Sequence, residues 1–194
     1  MDQNWPPAEA LPQAERERAA SFLRPEPARR WVASRWVLRG VLGRYLGVEP
    51  AAVELSVGEH GKPRLRDSAA GLRFNLSHSG EVSLVAVAAE REVGIDVEAV
   101  DEGRDMQALA ERALPAADAD AVRAAPSERR SAVFYQAWSC HEARLKCLRV
   151  GLGRTPPDAP VAVLPLDLGL PYAAAVAAAG EEPLSLRCWT LGPG

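Results

Sequence analysis

Apolar residues recur along this chain at two periods, and the switches between them predict its elements. Over residues 27–47, Trp31, Leu38, Val41, Leu42, Tyr45 and Leu46 return close to every 3.6 residues, the spacing of one helix face. Pro27 suits a first turn, where its missing N–H costs nothing, and Gly47 suits the position after the last turn. Gly40 and Gly43 interrupt that pattern. A shorter helix is predicted over 14–23. β-like pieces follow at 53–57, 73–77, 82–89 and 93–97, separated by turns at Gly58, Gly61, Gly71 and Gly80.

Helical patterning resumes over 105–114 and 118–124 and is longest over 127–149, with Ser127 as the expected cap and Gly151 and Gly153 as the stop. The apolar stripe of that long helix is Phe134, Trp138, Leu145 and Leu148, while Tyr135, Ser139, Glu142, Lys146 and Arg149 share another face. Residues 161–166, 172–178 and 184–190 read as strands. Helix followed by strands therefore occurs twice, and LVAVAAEREVGID loosely matches AAVAAAGEEPLSL, which suggests a duplicated unit.

Composition narrows the function. With 194 residues and 47% hydrophobic content the chain can bury one substantial core or two small fused ones, which excludes disorder. Its 23 Lys and Arg against 26 Asp and Glu leave a net charge of -3, so no basic field points to nucleic acid. No apolar run approaches the ~20 residues of a membrane helix. The first turns carry Asp2, Glu9, Glu15 and Glu17, unlike a signal peptide, so a soluble, cytoplasmic protein is expected. Cys140, Cys147 and Cys188 are an odd number without CxxC spacing, which fits a reducing compartment and neither a disulfide framework nor a zinc site. Arginine outnumbers lysine 21 to two, so Lys62 and Lys146 stand out.

The candidate chemistry lies in four short blocks. VGIDVEAV places Asp96 and Glu98 two apart in a strand, so both carboxylates leave one face and repel unless a cation lies between them. Read alone, the pair is either a solvated edge or a hard-metal site, and Glu142 is a third carboxylate available from the long helix. Glu142 and Lys146 are four apart, hence helix neighbours. FNLSHSG sets His78 between Ser77 and Ser79 in an expected polar loop, either a capped turn or a phosphate contact. GKPRL holds Lys62 between a glycine and a proline, on a rigid turn or simply on the surface.

Together, RRWVASRWVLRGVLGRYLG, GKPRL, FNLSHSG, VGIDVEAV and AWSCHEARLKCLRVGLG, spanning residues 29–153, resemble the two-domain, Sfp-like 4′-phosphopantetheinyl transferases in order and approximate spacing. The resemblance implies an α+β fold of two pseudo-twofold-related subdomains, 1–98 and 99–194. Each is a helix packed on an antiparallel sheet, with the active site in the cleft between them. It implies transfer of the phosphopantetheine arm of coenzyme A to a serine of an apo acyl or peptidyl carrier protein, releasing adenosine 3′,5′-bisphosphate. Asp96, Glu98 and Glu142 match the Mg²⁺ ligands, and Lys146 matches the contact to the transferred phosphate. Glu142, or a water it orients, matches the acceptor of the serine proton. Ser77 and His78, with Lys62 and Arg30, match the positions around coenzyme A. The single-chain form implies a monomer without nucleic-acid or membrane partners.

The chain departs from the family pattern at two places. Where WxxKE is frequent, it reads Trp138-Ser139-Cys140-His141-Glu142, so an imidazole titrating near ~6.5 replaces a permanent cation. His141 either serves phosphate or packs at the helix border. The N-terminus also lacks the apolar strand that usually opens this fold. Two rival readings use the same residues: a Mg²⁺-dependent phosphohydrolase, and a degenerate homologue that binds coenzyme A or a carrier without turnover.

Overall fold

The computed structural model describes residues 7–58, 62–66, 71–151, 156–169 and 171–190. The expected turn at Gly61 and stop at Gly153 lie outside these residues. The elements run α1 (Gln13–Ala20), α2 (Pro25–Leu46), β1 (Leu55–Val57), β2 (Pro63–Leu65), β3 (Leu72–Ser79), β4 (Val82–Ala89) and β5 (Val93–Ala99). They continue with α3 (Met106–Ala113), α4 (Ala116–Ala124), α5 (Ser127–Leu148), β6 (Val161–Leu166) and β7 (Tyr172–Ala179). The class is α+β, as the resemblance implied. The chain divides into two compact units: Met1–Ser56 with Leu65–Ala70 and Leu186–Gly194, and Val57–Arg64 with Gly71–Ser185. No helix among the described residues is long and apolar enough to cross a membrane.

In the first unit α2 starts with Pro25 at its first position and ends at Gly47 in the left-handed conformation (φ 68°). Leu11, Ala19, Val32 and Trp36 form a core cluster between α1 and α2. Arg39, only 2% exposed, is charged and inside. It is accommodated because Glu15 pairs with its Nε at 2.7 Å, and because its Nη1 donates to the carbonyls of Pro50 (3.1 Å) and Val53 (2.8 Å).

The second unit is built on an antiparallel sheet in the order β5-β7-β6, beside the antiparallel hairpin β3-β4. Opposite Asp96 and Glu98 on β7 stand Ala175 and Ala173. The run of alanines along β7 is buried almost throughout. Such small side chains let α5 come close, and Ala143 and Cys147 of α5 pack with Ala175 and Ala177. At Gly94 the approach is closer still: a Cβ there would lie 2.0 Å from the Ala143 carbonyl oxygen and 2.5 Å from the Cys147 nitrogen. Only glycine permits that contact.

α3 and α4 pack on α5 through Met106, Ala110, Val122, Phe134 and Tyr135. α3 is capped by Asp105, whose carboxylate accepts from the Ala108 N–H at 3.1 Å.

The second face of α5 is partly buried: Tyr135 and Ser139 are 3% and 0% exposed, because sheet and helices cover the helix from several sides. The structure corrects three local expectations. Pro126, not Ser127, occupies the cap position, and no side chain caps it. The helix stops at Arg149, left-handed at φ 60°, with its guanidinium paired to Glu92. Residues 184–190 form no strand despite their pattern; Leu186 and Trp189 are 41% and 70% exposed. An apolar alternation becomes a strand only where another strand's edge receives it.

Candidate functional site

The site grows from β5 and α5. Strand alternation sends Asp96 and Glu98 to one face, and the close packing at Gly94 brings α5 onto that strand. Lys146 then reaches across: its Nζ lies 2.6 Å from Asp96 Oδ1 and donates to Ser77 Oγ at 3.0 Å. Asp96 is 2% exposed, so this ion pair is largely shielded from water. Glu142, one turn before Lys146, belongs to the same electrostatic group. Its carboxyl is pushed above the usual carboxylate range by burial first and by Asp96 next; Lys146 opposes the rise and Glu98 adds to it. Glu98 is raised likewise, by burial and then Asp96, against hydrogen bonds from Trp138 and Ser79 and the charge of Lys146.

These side chains suit a hard cation. Asp96 Oδ2 and Glu142 Oε1 are buried and have no hydrogen-bond partner among the described residues, which is costly unless something positive completes them. Oxygen donors from carboxylates are the chemistry that Mg²⁺ selects. The shell is not closed, however: among the described residues no three ligating side chains already surround one point, and Lys146 holds one oxygen of Asp96. The donors fit Mg²⁺, with open positions left to water and substrate oxygens.

The remaining predicted residues are placed as follows. Ser77 spends its hydroxyl inside the fold, donating to Asp96 Oδ1 (3.1 Å) and accepting from Lys146 and from the Val97 N–H (3.3 Å). His78 is not in a loop; it lies within β3, exposed, opposite Ser83, because the strand runs on through Ser79. Lys62 is not a surface cation either. Its Nζ donates to the carbonyls of Lys146 (2.9 Å) and Val93 (3.3 Å), tying the end of α5 to the start of β5. Burial holds its pKa down to about 8, against the nearby charge of Glu92. Arg30 belongs to the first unit, on the exposed face of α2, where it pairs with Glu26 at 2.8 Å.

His141 is set apart from the carboxylates. Its charged surroundings are Asp118 and Arg144, and its pKa is lowered, chiefly by burial. Adjacent helix residues point about 100° apart, so His141 and Glu142 diverge. The sequence assigned no role to three contributors: Gly94, which seats α5 on β5, Asn75, whose Oδ1 accepts from the Ile95 N–H at 2.8 Å, and Trp138. The indole of Trp138 stacks on Phe134 and also hydrogen-bonds Glu98. A tryptophan four before Glu142 was the available signal, but its place in an apolar stripe read as core.

Fold and site define an α+β protein with a carboxylate cluster suited to a hard cation, assembled by a helix and a strand far apart in sequence. Residues 92–190 match the family model of the 4′-phosphopantetheinyl transferase superfamily, and residues 2–92 match that of the 4′-phosphopantetheinyl transferase N-terminal region. The chain belongs to the 4′-phosphopantetheinyl transferase superfamily. It is 40% identical over 149 residues to 4′-phosphopantetheinyl transferase HetI of Nostoc sp., covering 76% of this chain and 63% of that protein. Identity is 33% over 159 residues to a phosphopantetheinyl transferase of Thraustochytrium sp. (74% of this chain, 54% of the relative). It is 31% over 171 residues to AcpT of Salmonella typhi (87% and 81%). The chain thus spans less than two thirds of several of the curated relatives it matches.

Proposed function

We propose that this chain transfers the 4′-phosphopantetheine arm of coenzyme A to a serine hydroxyl of an apo acyl or peptidyl carrier protein, releasing adenosine 3′,5′-bisphosphate. The observation that carries the reading is the convergence of Glu142 and Lys146 from α5 on Asp96 and Glu98 from β5. In this reading the serine oxygen forms a bond to the phosphorus that bears pantetheine, and the bridging P–O bond of the pyrophosphate breaks. Asp96, Glu98 and Glu142 would hold Mg²⁺, which would supply positive charge where the leaving phosphate becomes more negative. Glu142 takes the serine proton, directly or through a water it orients. Lys146 turns its ammonium to the transferred phosphate, exchanging part of its contact with Asp96 for it.

Arg30, Lys62, Ser77 and His78 are assigned to coenzyme A. His78, exposed at its strand position, and Arg30, on an exposed helix face, have the access such contacts need. Lys62 and Ser77 would exchange internal bonds for phosphate contacts or act by holding the site together. Two subdomains, 1–98 and 99–194, remain the proposed division, supported by the two family matches meeting at residue 92. A cytoplasmic monomer that binds neither nucleic acid nor membrane completes the reading, supported by the weakly negative net charge of -3.

Incubating the full chain with coenzyme A, Mg²⁺ and an apo carrier protein tests the proposal by mass spectrometry. Addition of phosphopantetheine to the carrier is expected. Nucleotide release without a carrier would instead mark a hydrolase, and coenzyme A binding without turnover would mark a degenerate homologue.

A further inference from the structure

The outer edge of β5 carries an arrangement that the catalytic reading leaves unexplained. Among the described residues the backbone of β5 pairs with β7 alone, and an antiparallel ladder engages alternate residues. The amides of Ile95, Val97 and Ala99 face away from that ladder, on an edge that ordinarily meets another strand or water. Here each is taken by a side chain of β3: Asn75 Oδ1 accepts from the Ile95 N–H at 2.8 Å, Ser77 Oγ from Val97 at 3.3 Å, and Ser79 Oγ from Ala99 at 2.9 Å. The backbone of β3 is meanwhile engaged with β4. Positions i, i+2 and i+4 of one strand therefore meet i, i+2 and i+4 of the other, rung for rung.

Side-chain rungs fix register more sharply than a backbone ladder, because a slip of one residue would present Phe74, Leu76 and His78 to the same amides. The outer rungs flank the two carboxylates: Asn75 holds β5 just before Asp96, and Ser79 holds it just after Glu98 while also approaching Glu98 Oε2 at 3.4 Å. The middle rung, Ser77, touches Asp96 directly. Asn75 is 5% exposed, so its acceptor sits where no water substitutes readily.

We propose that Asn75 and Ser79 are positioning residues, whose rungs hold the backbone of β5 at both ends of the Asp96–Glu98 stretch so that the two carboxylates converge on one divalent cation. This rests on the reading of Asp96 and Glu98 as cation ligands. Groups that orient metal ligands typically change metal affinity about 10- to 100-fold when removed.

The test uses the full chain with Asn75→Leu, Ser79→Ala, Ser79→Thr and, as a control for plain destabilisation, Val122→Ala, a fully buried residue of α4 that forms none of the rungs. Two measurements are made without coenzyme A: Mn²⁺ affinity by calorimetry and amide exchange at Ile95 and Ala99 by NMR. Asn75→Leu is expected to speed exchange at Ile95, Ser79→Ala at Ala99, and each to weaken Mn²⁺ binding about tenfold or more. Ser79→Thr, which keeps the hydroxyl, restores both readouts, and Val122→Ala lowers the melting temperature with Mn²⁺ affinity within about twofold of wild type. Should Asn75→Leu fail to fold, the Ser79 pair decides alone. Equal Mn²⁺ affinity in wild type, Asn75→Leu and Ser79→Ala would overturn the positioning role, as would an equal loss in Val122→Ala. A wild-type chain that binds no Mn²⁺ would overturn the cation reading itself, and the positioning role with it.

Discussion

Replacing Gly94 by alanine tests the link between packing and chemistry most directly. The added methyl would stand 2.0 Å from the Ala143 carbonyl oxygen, where ordinary contact begins at 3.4 Å. The oxygen belongs to backbone and the new carbon is fixed to it, so no side chain can swing aside. Either α5 or β5 must retreat by about 1.4 Å, and overpacking of this kind costs about 1–3 kcal/mol. Ala143 and Cys147 adjoin Glu142 and Lys146, so the same retreat carries both functional groups away from Asp96. The Lys146–Asp96 contact at 2.6 Å would open to about 4 Å, outside hydrogen-bond range. A misplacement of about 1 Å costs on the order of 10²-fold in rate. Thermal denaturation and steady-state transfer to an apo carrier protein are the assays, with Gly40→Ala as the reference. That position lies within α2 and has nothing within 4 Å of where a methyl would stand, so alanine there should gain up to about 1 kcal/mol. A Gly94→Ala protein with wild-type melting temperature and transfer rate would refute the reasoning.

Four further outcomes are expected. Glu142→Gln keeps the side-chain volume but removes the charge and the proton acceptor, so the transfer rate should fall by ~10²-fold or more, and a smaller loss counts against both roles. Lys62 has a folded pKa of about 8 against the ordinary 10.5, so between these values the unfolded chain binds the extra proton and stability from this group rises with pH. The ceiling is about 3 kcal/mol, and Lys62→Met should show a shallower rise from pH 8 to 10.5 than wild type in denaturant titrations; parallel curves would remove the basis for that assignment. His141→Lys should change kcat/KM for coenzyme A less than about threefold and leave its pH profile intact, since His141 faces Asp118 and Arg144; a profile flattened at the alkaline side would restore a phosphate role. Glu15→Ala strands the Arg39 guanidinium inside the first unit and should cost about 3 kcal/mol or more by chemical denaturation, whereas a near-neutral effect would show that water reaches Arg39.

What periodicity encodes was legible in the sequence alone. The 3.6-residue recurrence located α2 and α5, a β-like apolar run beside a glycine turn located β4 to the residue, and helix and strand geometry put Asp96 beside Glu98 and Glu142 beside Lys146. Such pairings depend only on the geometry of a single element. The meeting of the two pairs did not follow from either, because Lys146 and Asp96 lie 50 residues apart and are joined by a helix docking on a strand at one glycine. Burial decided the rest. Lys62 and Ser77 look like surface polar groups in sequence, yet the fold half-buries Lys62 and buries Ser77, and their ammonium and hydroxyl bond to carbonyls, an amide and a carboxylate of the protein in place of water. Residues 184–190 show the converse, a strand pattern that pairs with no strand among the described residues. A sequence specifies which face each side chain takes within its own element. Only tertiary packing decides what stands opposite that face, and the desolvation it imposes turns ordinary carboxylates, lysines and serines into a site.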